Sequence, residues 1–176
     1  MNLPNKLTIF RVILVIPFVA LMLNGYDLWA VAVFIIASLT DLLDGKIARK
    51  YNLITDFGKF MDPLADKLLV SSAMICLVSL NRIPAWVVIV IISREFIISG
   101  FRLVASDAGV VIAASWWGKI KTVVQMIMVI VLILSIHNPV VAVIEQILIY
   151  LALVLTVVSL LDYLIKNWKV MDDGKM

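Results

Sequence analysis

The chain is predicted to be an all-α integral membrane protein. Three observations point there: 64% of its residues are hydrophobic, the mean hydropathy is +1.11, and long apolar runs alternate with short breaks rich in Gly, Pro and Asn. A soluble chain of 176 residues could not bury that much apolar surface in one core. Crossing a hydrocarbon layer of about 30 Å takes roughly 20 helical residues. The runs do not alternate apolar with polar residues, so a closed β-barrel is excluded.

Six spans are expected, at Leu7–Asn24, Leu28–Ala48, Phe60–Leu80, Pro84–Ala105, Trp116–Ile136 and Val140–Ile165. The breaks fall at Asn24-Gly25, Asn81-Arg82-Ile83-Pro84, Asp107-Ala108-Gly109 and His137-Asn138-Pro139, residues that end helices. Asn2 to Asn5 form a short opening expected to lie along the membrane surface. The first apolar run lacks a small-residue cleavage pattern and reads as a span, not a signal peptide. No soluble domain, linker or tandem repeat is evident, so 1–176 is expected to be a single membrane-embedded domain.

Six spans put both termini on one side, with the loops around 46–60 and 102–121. Fourteen of the 15 Lys and Arg residues then fall on or near that side and only Arg82 opposite, which marks the basic side as cytoplasmic. The pI near 9.1 is explained by this topology and by anionic headgroups, with no need for nucleic acid.

Four carboxylates stand out in the stretch TDLLDGKIARKYNLITDFGKFMDPLADK: Asp41, Asp44, Asp62 and Asp66. The first two are three positions apart and the last two four, so each pair shares one helix face. An Asp near a span centre costs about 2.5–3.5 kcal/mol, and like charges add repulsion. Divalent cations relieve that cost. Oxygen ligands without a His or Cys cluster point to Mg²⁺ or Mn²⁺, and two ions bridged by carboxylates suit phosphoryl chemistry. Gly45 admits a ligand close to the backbone, Arg49 can fork onto phosphate oxygens, Ala48 leaves room, and Gly58 relaxes the chain as it turns back.

These residues resemble the signature of the CDP-alcohol phosphatidyltransferases, D-x2-D-G-x2-A-R-x8-G-x3-D-x3-D. Asp41, Asp44, Gly45, Ala48, Arg49, Gly58, Asp62 and Asp66 match every fixed position. The resemblance implies that a lipid alcohol's hydroxyl attacks the β-phosphorus of a CDP-linked lipid and expels CMP. It further implies that Asp41, Asp44 and Asp62 ligate one metal, that Asp41, Asp62 and Asp66 face a second, and that Asp66 doubles as general base. Asn5, Thr8, Gly45, Arg49 and Thr55, with Gly58 beside them, would bind the CDP-diacylglycerol donor. A homodimer is implied as well.

Outside the signature, NLPNKLTIFR, SREFIISGFR and WWGKIKTVVQ look like the bacterial members that use glycerol 3-phosphate as acceptor and yield phosphatidylglycerophosphate. Arg94, Arg102, Lys119 and Lys121 put cations at the ends of spans four and five, where an acceptor phosphate could be held. Serine would not need so many cations. Inositol phosphate would, so it stays open as an acceptor, with serine and phosphatidylglycerol as further alternatives within the same chemistry. An ion transporter using intramembrane carboxylates has no need of Gly45, Ala48 and Arg49 at these spacings and is the remote alternative.

The remaining polar residues have structural readings. Glu95 neutralises its neighbour Arg94 or orients it, and Asp162 is expected as a solvated boundary residue. His137, the single histidine, belongs to a loop and offers neither a histidine metal site nor a Ser-His relay. Cys76 is a small buried residue with no disulfide partner. The tryptophans at 29, 86, 116, 117 and 168 read as interface anchors.

Overall fold

The computed structural model describes the backbone of residues 3–50, 56–107, 112 and 115–172, and the side chains of 5–40, 61–106, 112 and 115–167. The described residues form six helices in chain order: α1 (Leu3–Leu23), α2 (Asp27–Lys50), α3 (Asp56–Ser79), α4 (Ala85–Asp107), α5 (Trp116–Leu134) and α6 (Pro139–Asp172). All six expected helices are present, with different bounds.

Leu3, Pro4 and Asn5 are not a separate surface segment: they make the first turn of α1. Proline suits that place, because a first-turn N–H has no helical acceptor anyway. At the other extreme α6 runs seven residues beyond its expected end, over 34 residues, or about 51 Å at 1.5 Å per residue. Lys166, Asn167 and Lys169 end the apolar run without ending the helix. Hydropathy marks where a span leaves lipid, whereas backbone hydrogen bonding continues for as long as the residues tolerate it.

Among the described residues, three helices carry a stretch long and apolar enough to cross a membrane: Asn5–Leu23, Trp116–Leu134 and Pro139–Asn167. Asp27–Thr40 is a shorter apolar stretch. The acids and bases of α3 and α4 lower their hydropathy, and Asp62, Asp66, Arg94 and Arg102, singled out above for chemistry, are among them.

The breaks are closed by specific caps. Gly25 takes a left-handed φ of 76°, its N–H bonds to Met22 O at 3.2 Å, and the Tyr26 N–H bonds to Leu21 O at 3.0 Å. This is the Schellman arrangement, which satisfies the last carbonyls of α1. Asn81, at φ 56°, repeats it for α3, with Asn81 N to Val78 O at 3.0 Å and Arg82 N to Leu77 O at 2.9 Å. Ahead of α6, Asn138 Oδ1 accepts from the Val140 N–H at 2.8 Å, an N-cap in front of Pro139 at the first helical position.

The chain divides into two compact units. The first comprises 1–82 and 129–135, the second 83–128 and 136–176. In the first, α1 packs along both α2 and α3. Its core includes Phe18, Met22, Phe34, Leu69, Met74 and Leu77, with the Phe18 and Phe34 rings 5.7 Å apart. Ala30, Ala37 and Ala73 are fully buried there, small residues of the kind that let helix backbones approach closely in lipid. In the second unit α4 packs on α6 around Ile98, Ala105, Ile112 and Tyr163, with Phe101 and Leu160 against them. Phe101 meets Tyr163 edge to face at 5.7 Å.

Candidate functional site

α3 carries Asp62 and Asp66 one turn apart, both half-buried. Facing Asp62 from α1 is Thr8, fully buried, whose hydroxyl donates to Asp62 Oδ1 at 2.5 Å. Fifty-four positions separate the two residues, and the packing of α1 along α3 joins them. Asn5, buried at 7% exposure, lies one turn before Thr8. Three of the residues marked in sequence, Asn5, Thr8 and Asp62, thus gather where α1 meets α3, and Asp66 follows one turn along.

Arg11, one turn after Thr8, is fully buried too. In sequence it stands out only as one of the basic residues of the cytoplasmic side, although its spacing of three from Thr8 and six from Asn5 places all of them near one face of a helix. A buried guanidinium beside a buried hydroxyl and amide makes a polar seam on a helix whose other residues, Lys6 apart, are apolar.

Asp41, Asp44, Gly45 and Arg49 lie on α2 and Gly58 on α3, but their side chains fall outside the described residues, and Thr55 lies outside them altogether. Among the described residues no three His, Cys, Asp or Glu side chains gather into a metal-binding group. The donors available at Asp62 and Asp66 are oxygens alone, which fits a hard divalent cation. The Thr8 hydrogen bond fixes the rotation of the Asp62 carboxylate, a restraint that metal-ligating carboxylates commonly receive.

The four cations expected to meet an acceptor phosphate separate into two kinds. Arg102 and Lys119 are exposed. Arg94 and Lys121 are buried, at 8% and 1% exposure, and both donate to Glu95 Oε1, Arg94 Nη1 at 3.1 Å and Lys121 through a short contact from Nζ. Glu95 therefore pairs with two cations rather than with Arg94 alone. Asp162 lies near the end of the apolar stretch of α6, its side chain 17% exposed and paired with Lys166 at 2.6 Å, within hydrogen-bonding reach of Ser115. Cys76 is buried, and His137 is exposed between α5 and α6. Trp29, Trp86, Trp116 and Trp117 are all exposed, and the Trp168 side chain lies outside the described residues.

The sequence model of the CDP-alcohol phosphatidyltransferases matches residues 1–158. The chain belongs to that family. Its relatives include a CDP-diacylglycerol--glycerol-3-phosphate 3-phosphatidyltransferase of Bacillus subtilis, 46% identical and matched over 96% of both chains. A Haemophilus influenzae protein of the same name is 40% identical over 93% of this chain and 91% of its own. A probable phosphatidylglycerophosphate synthase of Mycobacterium tuberculosis is 38% identical over 92% of this chain and 79% of its own. As a CDP-alcohol phosphatidyltransferase, the chain carries the signature aspartates on α2 and α3, and those two helices pack on each other as well as on α1.

Proposed function

We infer that the chain transfers the phosphatidyl group of CDP-diacylglycerol to glycerol 3-phosphate, releasing phosphatidylglycerophosphate and CMP in phospholipid synthesis. The observation that carries this reading is near-full-length likeness to relatives bearing that activity in their names, at 46% identity for the Bacillus subtilis protein. The whole chain, 1–176, works as one membrane-embedded transferase domain with six spans, and it acts as a homodimer in the bacterial plasma membrane with its site facing the cytoplasm.

The family is divalent-metal dependent in general, and the all-carboxylate donor set favours two Mg²⁺ ions, with Mn²⁺ as substitute. Asp41, Asp44, Asp62 and Asp66 hold them. When bound, such ions neutralise the diphosphate and stabilise charge developing on the transferred phosphate and on departing CMP. Asp66 takes the proton of the attacking hydroxyl. Asn5, Thr8, Gly45, Arg49, Thr55 and Gly58 seat the CDP-diacylglycerol, and Thr8 also orients Asp62. No side chain other than these carboxylates offers a nucleophile in the signature, so the acceptor displaces CMP directly from a ternary complex. Arg94, Arg102, Lys119 and Lys121 serve the acceptor phosphate, with the buried pair contributing most because a low-dielectric setting strengthens each contact.

The test is an acceptor panel. Purified protein with Mg²⁺ and CDP-diacylglycerol should release CMP when glycerol 3-phosphate is added and not with serine, inositol phosphate or phosphatidylglycerol. Turnover with one of those instead would reassign the acceptor and keep the chemistry. No CMP from any acceptor, together with divalent-cation flux in vesicles, would replace the enzyme by a transporter.

A further inference from the structure

We propose that Glu95 and Gly118 are positioning residues that preform the acceptor-phosphate site by holding Arg94 and Lys121 together as one divalent cationic pair. The proposal rests on the acceptor reading above and adds residues that the reading does not contain.

One shared contact and three arguments from charge support it. Glu95 Oε1 accepts from both cations, so one atom ties α4 to a residue 26 positions away on α5. Two buried cations side by side repel strongly at low dielectric unless a carboxylate lies between them. The trio still carries a net single positive charge, which suits an incoming anion. A carboxylate is itself a poor phosphate ligand, so Glu95 acts through its two partners.

Gly118 supplies the floor. A Cβ built there would lie 3.3 Å from Arg94 Nη2, closer than ordinary contact. Its backbone cannot easily retreat, because the Gly118 N–H bonds to Ser115 Oγ at 3.2 Å, the N-cap of α5. An alanine at 118 therefore displaces the guanidinium by a few tenths of an ångström. The close approach of Arg94 is what an alanine would disturb here, since no unusual backbone conformation is involved.

The experiment measures CMP release by full-length protein in lipid–detergent micelles, with glycerol 3-phosphate and CDP-diacylglycerol varied separately. Glu95→Gln is expected to raise KM for glycerol 3-phosphate by about tenfold or more, the scale of hydrogen bonds to charged groups, with KM for CDP-diacylglycerol and kcat at saturating acceptor little changed. Glu95→Asp should recover part of the loss. Gly118→Ala should raise the same KM by a few-fold and decides the matter if Glu95→Gln does not fold. An unchanged or lowered acceptor KM in both variants overturns the proposal, as does a uniform loss affecting both substrates equally. Arg94→Gln and Lys121→Gln separate the two levels. If neither alters the acceptor KM, the acceptor reading itself is wrong; if both raise it while Glu95→Gln and Gly118→Ala do not, only the positioning role fails.

Discussion

At the scale of single residues, the proposed chemistry concentrates on carboxylates whose setting is partly written in adjacent sequence and partly supplied by a distant helix. On the proposed role of Asp66 as base and ligand together, Asp66→Ala should reduce CMP release to background while the protein still folds, as checked by its elution and thermal melt. Thr8 is subtler. Its hydroxyl orients Asp62, and Thr8→Val, which keeps the shape and removes the donor, should lower kcat/KM by about ten- to a hundredfold, the size of a lost hydrogen bond to a charged group. Thr8→Ser should retain most activity, because it restores the donor. The family signature marks Asp62 by spacing alone, whereas no spacing rule joins it to a residue 54 positions earlier. Only the packing of α1 on α3 reveals that contact.

Helix ends show the same division at the scale of elements. The stops at Gly25 and Asn81 are readable from composition, and their caps form as local chemistry dictates. What composition does not show is the use made of Arg82, the residue that the expected topology places alone on the far side. Arg82 forks onto Asp27 at the start of α2, with Nη1 to Oδ1 at 3.2 Å and Nη2 to Oδ2 at 2.9 Å. Its Nη1 also reaches the carbonyls of Leu132 at 3.3 Å and Ile133 at 2.9 Å. Those carbonyls belong to the last turn of α5, where no helical donor remains for them. One side chain thus joins the start of α2 to the end of α5 inside the first unit, while the backbone N–H of the same residue closes α3. Arg82→Ala should destabilise the protein by about 1–3 kcal/mol, the cost of leaving such groups unsatisfied, seen as a lower melting temperature in detergent with both KM values unchanged. Arg82→Lys should recover little, because an ammonium cannot fork onto a carboxylate and reach the carbonyls at once.

At the scale of the whole molecule, the described residues expose many large apolar side chains while several polar ones are buried. Ile16, Leu28 and Ile165 are at least 73% exposed, while Thr8, Arg11, Thr156 and Ser159 are fully buried. Lipid solvates the apolar face, and the polar groups turn inward to one another or to helix carbonyls, as Thr156 does to Ala152 O at 2.7 Å. The six-span topology built on this pattern is testable with the single cysteine of the chain. In a Cys76→Ser background, cysteines at Asn24 and His137 should react with an impermeant thiol reagent added outside intact cells, and one at Ser106 should react only in inverted vesicles. The converse labelling would reverse the orientation drawn from the basic residues. Metal dependence belongs to this scale too: chelation with EDTA should abolish CMP release, and added Mg²⁺ should restore it.

Sequence by itself determined the membrane class, the six helices, the family and the aspartate signature, because each rests on contiguous patterns: apolar run length, stop residues and fixed spacings on one helix face. Tertiary structure decided what those patterns meet. It drew Thr8 onto Asp62, buried Arg11, carried α6 past its apolar run, and sorted four equivalent-looking cations into two exposed and two buried around Glu95. The physical reason is the same throughout. Local propensity and hydropathy act over a few turns, whereas a buried charge must find its partner wherever packing brings one, and for Lys121 that partner lies on another helix.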